Sequence, residues 1–222
     1  MENFNHHGLD VISSRVCLAL DDFADENGNI ELDNSTHPAD NDIIDIPDDI
    51  ILLFARSILN LDEGNDVCKR RMKVILEYWQ KNATNNIRTI TLFPVKNKED
   101  LRKIIRCAVS VNPNANLNWI NVSKIKDMSF LFWQSHFNGD ISKWDVSNVE
   151  DMFEMFYASD FNNDISKWNV AKVRSMKWMF LQSKFTRNIC DWTISNETKT
   201  DGMFMDCPIA STNKPMVLQL QK

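Results

Sequence analysis

At 222 residues the chain has room for one domain of ordinary size and a smaller one. Its longest unbroken apolar run, residues 50–55, falls far short of the roughly 20 residues that cross a bilayer, and its first ten residues lack the basic start and apolar stretch of a secretory signal, so an intracellular location is expected. Five scattered cysteines without a C-x-x-C pair point to reduced thiols, and the formal charge of −6 hides an uneven split: residues 1–66 hold sixteen acidic side chains against Arg15 and Arg56, leaving −14, so the remainder carries +8.

Residues 1–42 are rich in Asp and Asn and, after Leu20, have no apolar periodicity. A segment so charged and so poor in apolar side chains cannot offset the entropy of ordering, which predicts a largely disordered acidic leader. It is either simply solvated or masks a basic surface elsewhere in the chain.

Residues 43–82 read as a small helical module. Pro47 followed by Asp48 and Asp49 is a helix start, since proline at the first turn lacks a donor the helix would not use and carboxylates there face its positive end. Residues 62–65 break that helix. Asp66 can cap a second one, in which Val67, Val74, Ile75, Tyr78 and Trp79 share one side while Lys69, Arg70, Arg71 and Lys73 stay outside.

The segment I-P-D-D-I-I-L-L-F-A-R-S-I-L, with V-C-K-R-R some twenty residues after Pro47, resembles an F-box, the helical motif that docks on the adaptor of cullin-type ubiquitin ligases. Ile46-Pro47 and Val67-Cys68-Lys69 match its two landmarks, whereas Arg71 stands where that family usually has an aromatic residue. The resemblance implies a ubiquitin-ligase adaptor as partner, docked on Ile46, Pro47, Ile50, Leu53, Val67 and Cys68. The alternative is an unrelated helical cap.

Residues 86–112 read as a strand followed by a helix. β-Branched and aromatic side chains dominate 87–95 until Pro94 stops the ladder. Asn97 can cap the helix, whose Leu101, Ile104, Ile105 and Ala108 make an apolar stripe and whose Arg102, Lys103 and Arg106 point outward. Such a helix would cover the open end of the repeats that begin at residue 113.

Residues 113–210 carry a repeat with a step of 24 residues. F-N-G-D-I-S-K-W-D-V begins at Phe137, F-N-N-D-I-S-K-W-N-V at Phe161 and the weaker F-T-R-N-I-C-D-W-T-I at Phe185, and an earlier copy survives in Leu117, Val122, Ile125, Met128 and Phe132. Self-similarity at this step means stacked units, each unable to bury its apolar side alone. Within one unit the first half alternates, then Met152, Met155, Phe156 and Ser159 recur at three and four, and Ser147 with Glu150 can form a capping box. The expected fold class is therefore α/β, a solenoid of short strand or turn plus helix.

The rows Trp144, Trp168, Trp192 and Phe137, Phe161, Phe185 are expected to form the continuous core rather than a stacking platform. Asp140 and Asp164, with Asn116 and Asn188 in equivalent places, supply too few oxygens per unit for calcium and suit turn hydrogen bonding instead. The four histidines have no metal-ligand spacing. In the last unit Glu197 and Thr200 replace apolar residues, Asp201-Gly202 would interrupt a helix, and a tail of residues 211–222 ends the chain.

The pattern F-N-x-D-I-S-x-W-[DN]-V-x-x-V-x-x-M-x-x-M-F closely resembles the repeat of BspA-like leucine-rich-repeat surface proteins of bacteria, some large DNA viruses and protists. It covers residues 117–206, and L-F-P-V-K-N-K-E-D-L-R-K-I-I looks like that family's N-terminal cap. The resemblance implies a non-catalytic adhesion or protein-interaction module, and by itself a cell-surface location. Three functions are open. The first is a protein-binding solenoid with Glu154, Tyr157, Lys177, Trp178 and Leu181 as contacts. The second is the same solenoid as an F-box substrate receptor; the third is nucleic-acid binding through Lys124, Lys126, Lys143, Lys167, Lys172, Arg174 and Lys177. With five glycines, no phosphate loop and no nucleophile beside a histidine and an acid, an enzyme is disfavoured, and no catalytic residue, metal or cofactor is expected.

Overall fold

A computed structural model of the chain describes residues 48–61, 65–83 and 92–219. The acidic leader, Ile46 and Pro47 lie outside the described residues. The chain divides into two compact units at Leu53/Phe54. Of the first, the described part is the opening half of helix α1 (Asp48–Leu59), which begins on the two aspartates as expected.

In the second unit α1 continues through buried Ala55 and Ile58, and the chain leaves it by turns from Asn60 to Ser57 and from Leu61 to Ile58. The Lys103 ammonium donates to the Leu59 carbonyl (2.8 Å), placing a cation at the negative helix end. Helix α2 (Asp66–Ala83) is capped by Asn65, not Asp66: the Asn65 side chain accepts from Val67 N at 2.8 Å, while Asp66 pairs with Lys69 at 3.5 Å. Its buried face is Cys68, Met72, Ile75, Tyr78 and Trp79, so the apolar stripe is rotated from the expected one and Val67 and Val74 are only half-buried.

Of the expected strand over 87–95, the described part holds β1 (Phe93–Pro94), which pairs in parallel with β2 (Ile120–Asn121). Phe93 N and Val95 N donate to the Trp119 and Asn121 carbonyls. Helix α3 (Lys98–Val111) starts where expected, with the Asn97 side chain accepting from Asp100 N at 2.9 Å, and buries Leu101, Ile104, Ile105, Cys107 and Ala108. α2 packs against α3.

From residue 113 to 210 the described chain runs as 24-residue coils joined by parallel bridges that link Asp127, Asp151, Ser175 and Lys199 in succession. The expected helix in each unit is absent. Each coil instead makes overlapping turns: in the first, Leu131 N, Trp133 N and Ser135 N bond the Met128, Phe130 and Phe132 carbonyls, and the intervening N–H groups of Met128, Phe130, Phe132 and Gln134 donate to Asp151, Phe153, Met155 and Tyr157 of the next coil. Two positions per coil have φ between 48° and 60°: Phe130, Glu154, Trp178 and Gly202 form one row, Gln134, Ala158, Gln182 and Asp206 the other. Overlapping i to i+3 turns reproduce the three-and-four apolar spacing of a helix, but their alternate donors reach the neighbouring coil, where a helix would use them internally. Gly202 thus fits its row rather than interrupting it, and Ser147 with Glu150 has no helix to cap.

The core holds the expected Phe137, Phe161, Phe185 and Trp144, Trp168, Trp192 rows, all buried, and a further phenylalanine row whose last member, Phe204, is half-buried. Phe132, Phe156, Phe180 and Phe204 stack at 5.3, 5.4 and 5.6 Å with planes within 8° of parallel. Trp144, Trp168 and Trp192 stack at 6.5 and 6.4 Å, and their indole N–H groups donate to Leu117, Ile141 and Ile165 carbonyls, 27 residues back in each case. A buried indole is thereby both packed and satisfied. Asp140 and Asp164 accept from the Ser142 and Ser166 amides, and Asn116 and Asn188 do the same for Asn118 and Cys190, so this row makes turns. Beyond the last coil, a 3-10 turn (Ser211–Asn213) and helix α4 (Met216–Gln219) lead the chain back, and Ile189 N donates to the Asn213 carbonyl.

Candidate functional site

The coils bury one side of each turn segment and display the other. The displayed side carries large apolar residues: Phe130, Trp133 and Trp178 are 37 to 44% exposed and Met205 is 52% exposed. They fall in two rows at multiples of 24 residues, Phe130 with Trp178 and Trp133 with Met205. Trp133 stacks on Tyr157 (5.9 Å, 13°), whose hydroxyl donates to the Gln182 side chain at 3.3 Å. Phe130 meets Phe153 edge-on at 5.1 Å, Phe153 meets Trp178 at 5.5 Å, and the Trp178 indole lies over Gly202, where an added Cβ would come within 2.5 Å of it. The ring needs that bare backbone.

Of the contacts read from sequence, Glu154 and Tyr157 are half-buried on this face, and Lys177 is half-buried with its ammonium 3.0 Å from Asp201 and 5.8 Å from the Trp178 ring centre. Leu181 is corrected: it is buried, 8% exposed, because its coil turns inward there and its carbonyl receives Ala158 N. Phe130, Trp133 and Met205 are exposed on the same face and were not among the contacts read from sequence. Trp133 and Met205 stand 24 residues either side of Tyr157 and Leu181, so the column was visible in the repeat.

A groove of about 600 Å³ opens between α3 and the first coil, lined by Arg102, Ile105, Arg106 and Val109 on the helix and by Phe130, Leu131 and Trp133 on the coil. Among the described residues no carboxylate lines it. A second concavity, of about 550 Å³, lies among Glu150, Lys172, Arg174, Glu197 and Lys199. There the charges alternate: Glu150 pairs with Lys126 (3.1 Å) and Arg174 (3.4 Å), which holds its carboxyl below the ordinary glutamate range. Several of the basic residues read as a nucleic-acid face are thus paired along the stack, Lys177 with Asp201 among them.

The described residues hold only part of the adaptor-docking set. Ile46 and Pro47 are outside the described residues, and Ile50 and Leu53 fall on the opening half of α1. Val67 is half-buried, and Cys68 is buried at 2% exposure. Burial pushes the Cys107 thiol up, and a hydrogen bond with the Cys68 thiol adds to the effect. Cys68 therefore serves the α2–α3 packing.

Among the described residues no helix is long and apolar enough to cross a membrane. The described chain is a run of parallel 24-residue coils with a helix beside the first of them. Residues 99–216, more than half of the chain, match the family described as "Mycoplasma protein of unknown function, DUF285", and the protein belongs to that family, a repeat family found in BspA-like proteins. The match begins inside the first turn of α3, so the helix and the coils form one family unit. No curated protein and no solved structure matches the chain.

Proposed function

We propose that the protein is a non-enzymatic protein-interaction module, a solenoid of turn-built coils whose displayed turn face is the contact surface. The observation that carries this reading is the row of exposed large apolar side chains, Phe130, Trp133, Trp178 and Met205, each supplied by a different coil or by a different turn of one coil. Isolated exposed apolar residues are ordinary, but a contiguous set along one face marks an interaction site. Trp, Tyr and Met are the residue types enriched at such sites. The resemblance to BspA-like adhesion and interaction modules points the same way, and the mixed-charge second concavity offers no comparable anchor.

The test is site-specific photo-crosslinking in cells expressing the full chain. A photoreactive residue at position 133, 178 or 205 is expected to capture the same protein partner, and one at exposed Lys143 or Lys167 on the alternating half of the coils is not. Equal capture from both sets would overturn the reading.

A further inference from the structure

The carbonyls of Ser129, Leu131 and Trp133 accept no backbone hydrogen bond among the described residues. Their equivalents in later coils do: Phe153, Met155 and Tyr157 receive Phe130, Phe132 and Gln134, and Lys177, Met179 and Leu181 receive Glu154, Phe156 and Ala158. The difference lies in what precedes the first coil. Counting back 24 residues from its turn segment reaches residues 104–111, which are helix α3, and a helix bonds its N–H groups to its own carbonyls. The first coil thus keeps an open acceptor edge, and the Leu131 and Trp133 part of it lines the groove under α3.

Three further features describe what fits. The opposite wall brings Arg102, and among the described residues no carboxylate lines the groove. Trp133, 44% exposed, and Val109 supply apolar surface. The same coil also already binds an extended segment by this rule, since Phe93 N and Val95 N donate to the Trp119 and Asn121 carbonyls earlier in it. We propose that the groove binds an extended acidic segment of a partner protein, which adds to the coil edge by donating alternate backbone N–H groups to Leu131 and Trp133, with a carboxylate toward Arg102 and apolar side chains on Trp133. This is strand addition between a helix and an open edge. It rests on the interaction-module reading above and names the partner's chemistry. A nucleic-acid backbone is also anionic, but it carries acceptors and would leave the edge carbonyls without donors.

The experiment titrates the full chain with a labelled octapeptide of alternating Asp and Val, end-capped, and reads anisotropy. Two N-methylated versions remove the N–H groups of the odd or of the even residues. The expected result is saturable binding that one methylation register weakens at least tenfold and the other spares, because only one set of amides faces the edge. Arg102→Gln is expected to weaken it severalfold and to reduce its salt dependence, with near-ultraviolet circular dichroism confirming an unchanged core. Equal loss or equal retention in the two registers overturns the proposal, as does preference for an alternating Lys and Val peptide or for a single-stranded oligonucleotide. If no peptide binds while crosslinking at 178 and 205 still captures a partner, the groove assignment fails and the interaction face stands; if both are silent, the broader reading fails as well.

Discussion

Gly139 shows how closely the coils approach. An added Cβ there would sit 1.9 Å from the Ala115 carbonyl oxygen, which Asp140 N meets at 3.2 Å. The obstacle is backbone and cannot swing aside. Gly139→Ala is therefore expected to lower unfolding free energy by about 1–3 kcal/mol or more, the usual cost of overpacking a tight contact, measured by urea denaturation. Asn163, at the same place one coil later, is tolerated with its amide bonded to Asn138, so Asn163→Ala should cost little more than a hydrogen bond, about 1 kcal/mol. Trp168 tests the other kind of residue: it is 4% exposed between two tryptophans, and Trp168→Ala should cost roughly 3–5 kcal/mol. A loss below about 1 kcal/mol would contradict its place in the core. These rows were legible in the sequence alone, because a residue type repeated at every step must meet its own copy. Leu181 was not, because the row it shares with Trp133 and Tyr157 is exposed at some coils and closed at others.

At the scale of elements, the α3 cap and stripe were readable since capping and amphipathicity are local. The turn segments were misread as helices for a reason that is also local: apolar spacing cannot tell i to i+3 turns from a helix, and the donors that decide the matter bond residues 23 positions away. The groove was invisible from sequence because it needs α3 and the first coil placed side by side. The Asx turns that shape the other half of each coil make a pH prediction. Burial pulls the Asp140 carboxyl up, but hydrogen bonds from the Ser142 amide and hydroxyl outweigh it and leave the group below its ordinary value. Hydrogen bonds from Ser166 lower Asp164, and those from Ser147 lower Asp145. A carboxyl depressed on folding contributes stability that is whole above the unfolded pKa of about 3.9 and is lost as pH falls through the lower folded value. Thermal midpoints are expected to hold from pH 7 to 5 and to drop below pH 4. Asp140→Asn, which keeps the turn acceptor without the charge, should flatten part of that drop.

For the molecule as a whole, contacts between coils are nearest-neighbour and repeat at one step, so the coils are interchangeable in register. Salt-bridge rows keep the same step: His136 and Lys184 flank Asp160 at 2.7 Å each. Deleting residues 141–164 would set the third coil's ladder on the first coil's, and the shortened chain is expected to fold cooperatively with a smaller urea m-value, in proportion to the surface removed. Deleting residues 141–152 instead places carbonyls opposite carbonyls and core rows opposite solvent-facing ones. That variant should not give a cooperative transition. Folding of the half-unit deletion, or failure of the whole-unit one, would show that the coils are not equivalent.

The indole column has an optical consequence. Trp144, Trp168 and Trp192 lie 6.5 and 6.4 Å apart with planes 2° and 7° from parallel, each fixed by a bond to a carbonyl. Identical chromophores held this close and turned slightly from one to the next share their excited states, so their absorption bands split and rotate light with opposite signs. The turn-built coils have no strong backbone band of their own to track during unfolding, and the coupled indoles supply one. Because the signal needs neighbouring coils rather than any single coil, replacing Trp168 with phenylalanine would silence it while leaving the outer two indoles in place, and the protein thereby carries its own gauge of whether the middle of the stack is closed.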